Sequence, residues 1–129
     1  MLSDPIADFL ARIKNGYMAK RSLVELPWSR ILAEMAEILV ANDYLAGAEV
    51  KEDRFKTLIL NLKYKSNQPA LTDLKRVSKP GVRRYIKVHE IRPVLDGLGM
   101  MIISTPKGLM TGKEAKKKNL GGEVLAEIW

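Results

Sequence analysis

A chain of 129 residues with no cysteine, one histidine and a formal net charge of +7 has no disulfide or thiolate chemistry and points to a reducing, cytoplasmic setting. It has room for one or two small domains that bury roughly two thirds of the unfolded surface. No apolar run approaches the roughly 20 residues of a membrane span, and Asp4 and Asp8 stand where a secretory signal would be basic and then apolar.

The charge is unevenly placed. Residues 1–50 carry five Lys or Arg against seven Asp or Glu, residues 51–92 twelve against four, and residues 93–129 five against four. A basic excess concentrated in the middle of a chain favours a polyanionic partner, most often nucleic acid.

In chain order, Ser3-Asp4-Pro5 offers cap candidates ahead of a helical proline, and Ile6, Phe9, Leu10, Ile13 and Tyr17 recur at helical spacing. Asp4 and Asp8, one turn apart, are explained by the amino end of a helix dipole before any catalytic pairing. Arg12, Lys14 and Asn15 lie off the apolar stripe, where a cation reaches solvent or phosphate. Leu23–Leu26 reads as a short strand stopped by Pro27. Ser29 caps a second helix whose buried side is Ile31, Leu32, Met35, Ile38 and Leu39, ending near Asn42. Strands follow near Ala48–Glu52 and at Lys56–Tyr64, where Leu58, Leu60 and Leu62 alternate with Ile59, Asn61 and Lys63.

Residues 65–70, with Ser66-Asn67-Gln68-Pro69, combine turn formers with no apolar periodicity and read as a linker. Beyond it, Leu71–Ser78 and Val82–Val88 are strand candidates around a Lys79-Pro80-Gly81 hairpin turn. Alternation puts Val82, Arg84, Ile86 and Val88 on one face, and Arg83, Tyr85 and Lys87 on the other. A tyrosine between two cations suits base or sugar stacking with phosphate neutralisation; a half-buried tyrosine in a wet cationic surface explains it as simply. His89–Leu95 reads as a helical turn and Asp96-Gly97 as a bend.

The apolar run Met100–Ile103 breaks into Ser104-Thr105-Pro106-Lys107-Gly108, a strand tip presenting hydroxyls and a cation. Thr111-Gly112-Lys113-Glu114 is a capping box opening a short helix that ends at Asn119–Gly122. Residues 124–129 return to a strand pattern, so pairing of the last strand with Met100–Ile103 is expected to bring Gly121-Gly122 and Glu123 beside the hydroxyl loop. The glycines let a backbone approach closely, and Glu123 suits a base amino group better than a phosphate. Lys116, Lys117 and Lys118 fit the carboxyl end of the helix dipole.

The reading is therefore α+β. Residues 1–64 form an amino-terminal α/β domain (helix-strand-helix-strand-strand), 65–70 a linker, and 71–129 a mainly β, RNA-binding carboxyl-terminal domain with a short helix. One histidine and no cysteine leave zinc chemistry and a Ser-His-Asp relay without their parts. No metal, cofactor or catalytic residue is expected. An enzyme reading would have to rest on Asp4, Asp8, His89 and Glu123, scattered over different elements. A protein-docking reading draws on Trp28, Trp129 and the outer side of the second helix. A membrane-surface reading lacks a helix with cations along its polar face.

Three stretches, SDPIADFLARIKN, LKRVSKPGVRRYIKV and GLGMMIISTPKGLMTGKEAKKKNLGGEVLAEIW, in that order and spacing, resemble the bacterial-type small-subunit ribosomal protein eight family over essentially the whole chain. The resemblance implies two closely associated domains and a structural constituent of the small ribosomal subunit. It further implies a primary binder of an internal helix in the central domain of small-subunit rRNA, acting early in assembly beside neighbouring ribosomal proteins. Members of the family also bind a similar structure in their own operon mRNA and repress its translation. Carried over by motif, the RNA-binding residues are Tyr85, Ser104, Thr105, Lys107, Gly108, Gly121, Gly122 and Glu123; the residue pattern itself adds Arg83, Lys87 and Lys79 of the basic hairpin. Pro106, Lys14, Arg30, Lys113 and Lys117 complete the set. The family loop usually has a second serine where this chain has Pro106, which lacks both hydroxyl and amide donor, and Gly112 replaces the usual acid after Met-Thr.

Overall fold

A computed structural model describes residues 4–129. The described chain falls into two compact units, Ile6–Thr72 and Asp73–Trp129, the latter joined by Asp4 and Pro5. The expected Ser3 cap lies outside the described residues. Helices and mainly antiparallel sheets make the protein α+β, as the sequence pattern requires.

In the first unit, α1 (Pro5–Met18) buries Ile6, Phe9, Leu10, Ile13 and Tyr17, the stripe seen in the sequence. β1 (Leu23–Pro27), β2 (Leu45–Glu52) and β3 (Lys56–Leu62) form an antiparallel sheet in the order β1-β3-β2. Its central strand buries Leu58, Leu60 and Leu62 on one face. α2 (Arg30–Ala41) starts at Ser29, whose hydroxyl accepts from the Leu32 amide, and buries Leu32, Met35, Ala36 and Leu39. Ile31, expected on that buried side, is instead exposed. The Tyr17 hydroxyl donates to the Tyr44 carbonyl at 2.5 Å and accepts from the Lys63 amide at 3.0 Å, tying α1 to the ends of β2 and β3. Burial pushes its phenol above the ordinary value. The 65–70 segment carries a small hairpin, β4 (Tyr64–Lys65) with β5 (Gln68–Pro69), turned by Ser66 and Asn67, both at positive φ.

In the second unit, β6 (Leu74–Arg76), β7 (Tyr85–Ile86), β8 (Met100–Thr105), β9 (Gly108–Thr111) and β10 (Gly122–Ile128) form one sheet with β10 at its centre. The two arms expected to pair as a hairpin do not run together. β6 pairs with Ala126–Ile128 and β7 with Gly122–Glu123, end to end along one side of β10. Only the tip closes on itself, through the Lys79–Val82 bridge. Because β7 is two residues long, alternation does not extend back to Val82 and Arg84, and both are exposed. On the other side of β10, β8 pairs antiparallel with it as expected and continues into the β8–β9 hairpin.

The short helix α3 (Gly112–Lys117) begins at Thr111 with the expected capping box. Thr111 Oγ1 accepts from the Glu114 amide at 3.1 Å, and the Glu114 carboxylate accepts from the Thr111 amide. Ile91, Ile103, Met110 and Ala115 form one buried hydrophobic cluster of this unit, with Ile86, Met101 and Leu120 packed against it, and Ile102, Val124, Leu125, Ala126 and Ile128 are buried as well. A six-residue helix gains little from propagation, so Thr111→Ala is expected to cost about 1 kcal/mol in a urea melt, and Thr111→Ser to restore it.

Candidate nucleic-acid interface

The geometry of the sheet brings together residues far apart in sequence. Glu123 stands directly opposite Tyr85 on β7 and directly opposite Ser104 on β8. Directly opposed residues share a face, so Tyr85, Glu123 and Ser104 make one lateral row about 10 Å long at the usual strand spacing. Tyr85 is 73% exposed, Ser104 is half-buried, and the Glu123 side chain is 18% exposed. Arg83 folds back onto the row, its Nη1 donating to Glu123 Oε2 at 3.1 Å. The row thus combines a free aromatic face, a hydroxyl, and a carboxylate whose charge is balanced by a half-exposed cation.

Thr105 does something different. Successive strand residues point to opposite faces, and Thr105 is only 8% exposed. Its hydroxyl donates to the Gly108 carbonyl at 2.8 Å and accepts from the Lys107 amide at 3.1 Å. It therefore fastens the turn from within. Pro106 and Lys107 form the corner; Pro cannot take positive φ, and the positive value falls on Gly108, at +109°. Pro106, Lys107 and Gly108 are all exposed.

Gly121 and Gly122 are needed by the protein's own backbone. A Cβ on Gly121 would sit 2.5 Å from the Ile86 carbonyl oxygen, and one on Gly122 would overlap the Ser104 carbonyl. Their bareness lets β7 and β8 approach β10 closely at the level of the row.

The basic loop before β7 is pre-shaped by a residue the sequence reading passed over. Ser78 is fully buried; its hydroxyl accepts from the Arg84 amide at 2.9 Å and donates to the Arg84 carbonyl at 3.3 Å. The Lys79 and Val82 backbones exchange bonds at 3.0 and 2.9 Å. Lys79, Arg83 and Arg84 are carried, exposed, on this closed loop, with Gly81 at a φ of +85°. The signal for Ser78 was its place ahead of Lys-Pro-Gly, where a serine commonly bonds turn backbone. Lys87 is exposed at the start of a single turn of 3-10 helix (Val88–Glu90). Lys113 and Lys117 are exposed on α3.

Lys14 and Arg30 belong to the other unit. Lys14 is half-buried, and Arg30 is paired with Glu34 at 3.2 Å. The Asp4 and Asp8 carboxylates each face a cation, Arg76 at 3.2 Å and Arg12 at 3.0 Å. Among the described residues no group of three or more His, Cys, Asp or Glu is placed to hold a metal, and no helix is long and apolar enough to cross a membrane.

The family model for ribosomal protein S8 matches residues 4–129. The small ribosomal subunit protein uS8 of Lactococcus lactis subsp. lactis is 50% identical over 131 residues, covering 100% of this chain and 99% of the relative. Its counterpart in Enterococcus faecalis is 46% identical over 131 residues at the same coverage, and that of Staphylococcus carnosus 46% identical over 130 residues, covering 99% and 98%. With a full-length family match and near-half identity from end to end, this chain belongs to the ribosomal protein S8 family, a family of ribosomal constituents rather than enzymes.

Proposed function

We propose that this protein is a structural constituent of the small ribosomal subunit, in the cytoplasm, that binds small-subunit rRNA directly through its carboxyl-terminal unit, recognising an irregular internal helix of the central domain. The observation that carries this reading is the row Tyr85–Glu123–Ser104, flanked by the cationic loop of Lys79, Arg83 and Arg84. Two layers of binding follow from it. Exposed cations, Lys79, Arg83, Lys87 and Lys107 with Lys113 and Lys117, attract phosphate by counterion release and carry no sequence information. The row supplies what phosphate alone does not need: a π-face for an unstacked base, a hydroxyl, and a carboxylate able to accept from a base amino group. Thr105, Gly108, Gly121 and Gly122 shape the reader. Pro106 presents an apolar ring at the tip, with no donor of its own. Lys14 and Arg30 reach phosphate from the amino-terminal unit, where neighbouring ribosomal proteins also dock. The same row would recognise a similarly distorted helix in the protein's own operon mRNA and repress its translation.

The test is a salt series of filter-binding measurements on the specific rRNA helix and on a random RNA of equal length. Ser104→Ala is expected to weaken only the specific complex, by about 1 kcal/mol, with the salt slope unchanged. Lys107→Ala is expected to weaken both equally and lower the slope by about one. Equal losses on both RNAs for Ser104→Ala would exclude a reading role for the row.

A further inference from the structure

The bulge in β10 decides which side chains share the row. Val124 opposes Ile103 while Ala126 opposes Ile102, leaving Leu125 as an extra residue. Without that extra residue the register set by Ile128 and Met100 would place Val124 opposite Ser104 and Glu123 opposite Thr105. A one-residue slip transfers side chains to the other face of the sheet, so Glu123 would leave Ser104 and join the side of the buried Thr105. The bulge is what aims the carboxylate.

One side chain holds it. Arg76 Nη1 donates to the Leu125 carbonyl at 2.8 Å, and the Val77 amide donates to the same oxygen at 3.1 Å. The rest of the guanidinium is taken by Asp4, with Nε and Nη2 at 3.2 to 3.4 Å from its carboxylate. The Arg76 side chain is 10% exposed, too enclosed to reach a phosphate. A rigid planar fork is needed to meet a carboxylate and a bulge carbonyl at once, which an ammonium does not provide. We propose that Arg76, oriented by Asp4, is a positioning residue for RNA recognition. It fixes the β10 bulge and thereby puts Glu123 in register with Tyr85 and Ser104. This rests on the row being the RNA reader, as proposed above.

The chain has no cysteine, so an engineered pair reports the register without RNA. Ser104→Cys with Glu123→Cys is expected to cross-link on oxidation, because directly opposed Cα atoms lie about 4.5 to 5.5 Å apart, within the span a disulfide bridges. Adding Arg76→Met should cut that cross-link and raise the one between Thr105→Cys and Glu123→Cys. In the otherwise natural chain, Arg76→Met should lose on the order of tenfold in affinity for the specific rRNA helix, with random-RNA binding and salt slope unchanged. Asp4→Asn should lose less, since the bond to Leu125 remains. If Arg76→Met does not fold by circular dichroism, Arg76→Lys is scored in the same way. A lowered salt slope would make Arg76 a phosphate contact and overturn the proposal. So would unchanged cross-linking with unchanged specific affinity. If Arg76→Met keeps specific affinity while Tyr85→Ala loses it, the positioning role falls and the reading of the row stands; if neither variant loses it, both fall.

Discussion

Gly122→Ala is expected to lower the stability of the protein by about 3 kcal/mol, read as a drop of roughly 10 °C in melting temperature. The reason is backbone against backbone. The added methyl would overlap the Ser104 carbonyl, and paired strand backbone cannot rotate aside as the end of a flexible side chain could. Relief requires β10 to lift from β8 where the row is built, so specific RNA affinity should fall with stability, and the loss should persist at temperatures where the variant is fully folded. Gly108→Ala is the contrast: nothing lies within 4 Å of its missing methyl, and its φ of +109° alone is at issue, so about 1 kcal/mol is expected. A Gly122→Ala variant as stable as the natural chain would show that the strand spacing at this level is not set by the glycine.

Tyr85→Ala is expected to leave stability within about 0.5 kcal/mol, because the ring is 73% exposed, yet to weaken the specific RNA complex by about 1 to 3 kcal/mol, the usual worth of a base stacked on an aromatic ring. In a binding titration that is roughly 5- to 150-fold. Tyr85→Phe keeps the π-face and should bind nearly as well, while Tyr85→Leu keeps much of the apolar area and should not. Random duplex RNA, whose bases are already stacked, should discriminate none of the three. Equal affinity of the tyrosine and alanine forms for the specific RNA would leave the row without a stacking member.

Much of the fold was legible because the signals were local. The α1 stripe, the Ser29 cap, the Thr111–Glu114 box and the alternating leucines of β3 each lie within a few residues, and periodicity reports burial directly. The pairing of β8 with β10 was also readable, since both are apolar runs bounded by turns. What failed were inferences that extended a local pattern past its element. Alternation over residues 82–88 gives Val82 and Arg84 a face that the two-residue β7 does not sustain, and helical spacing puts Ile31 on the buried side of α2, whereas it sits exposed in the first turn.

The order of the residues carries the residue types of the candidate interface: an aromatic between cations, a hydroxyl, a carboxylate beside paired glycines, and the concentration of charge in residues 51–92. Tertiary structure alone decided their partnerships. It separated Ser104 from Thr105 by the strand pleat and gave the Thr105 hydroxyl to the turn. It filled the space over Gly121 and Gly122 with the protein's own carbonyls, and it bound Arg83 to Glu123, 40 residues away. The physical reason is that register is a property of strand pairs. One bulge at Leu125, held by an arginine 49 residues earlier in the chain, fixes which side of the sheet a carboxylate faces, and no spacing within β10 encodes it.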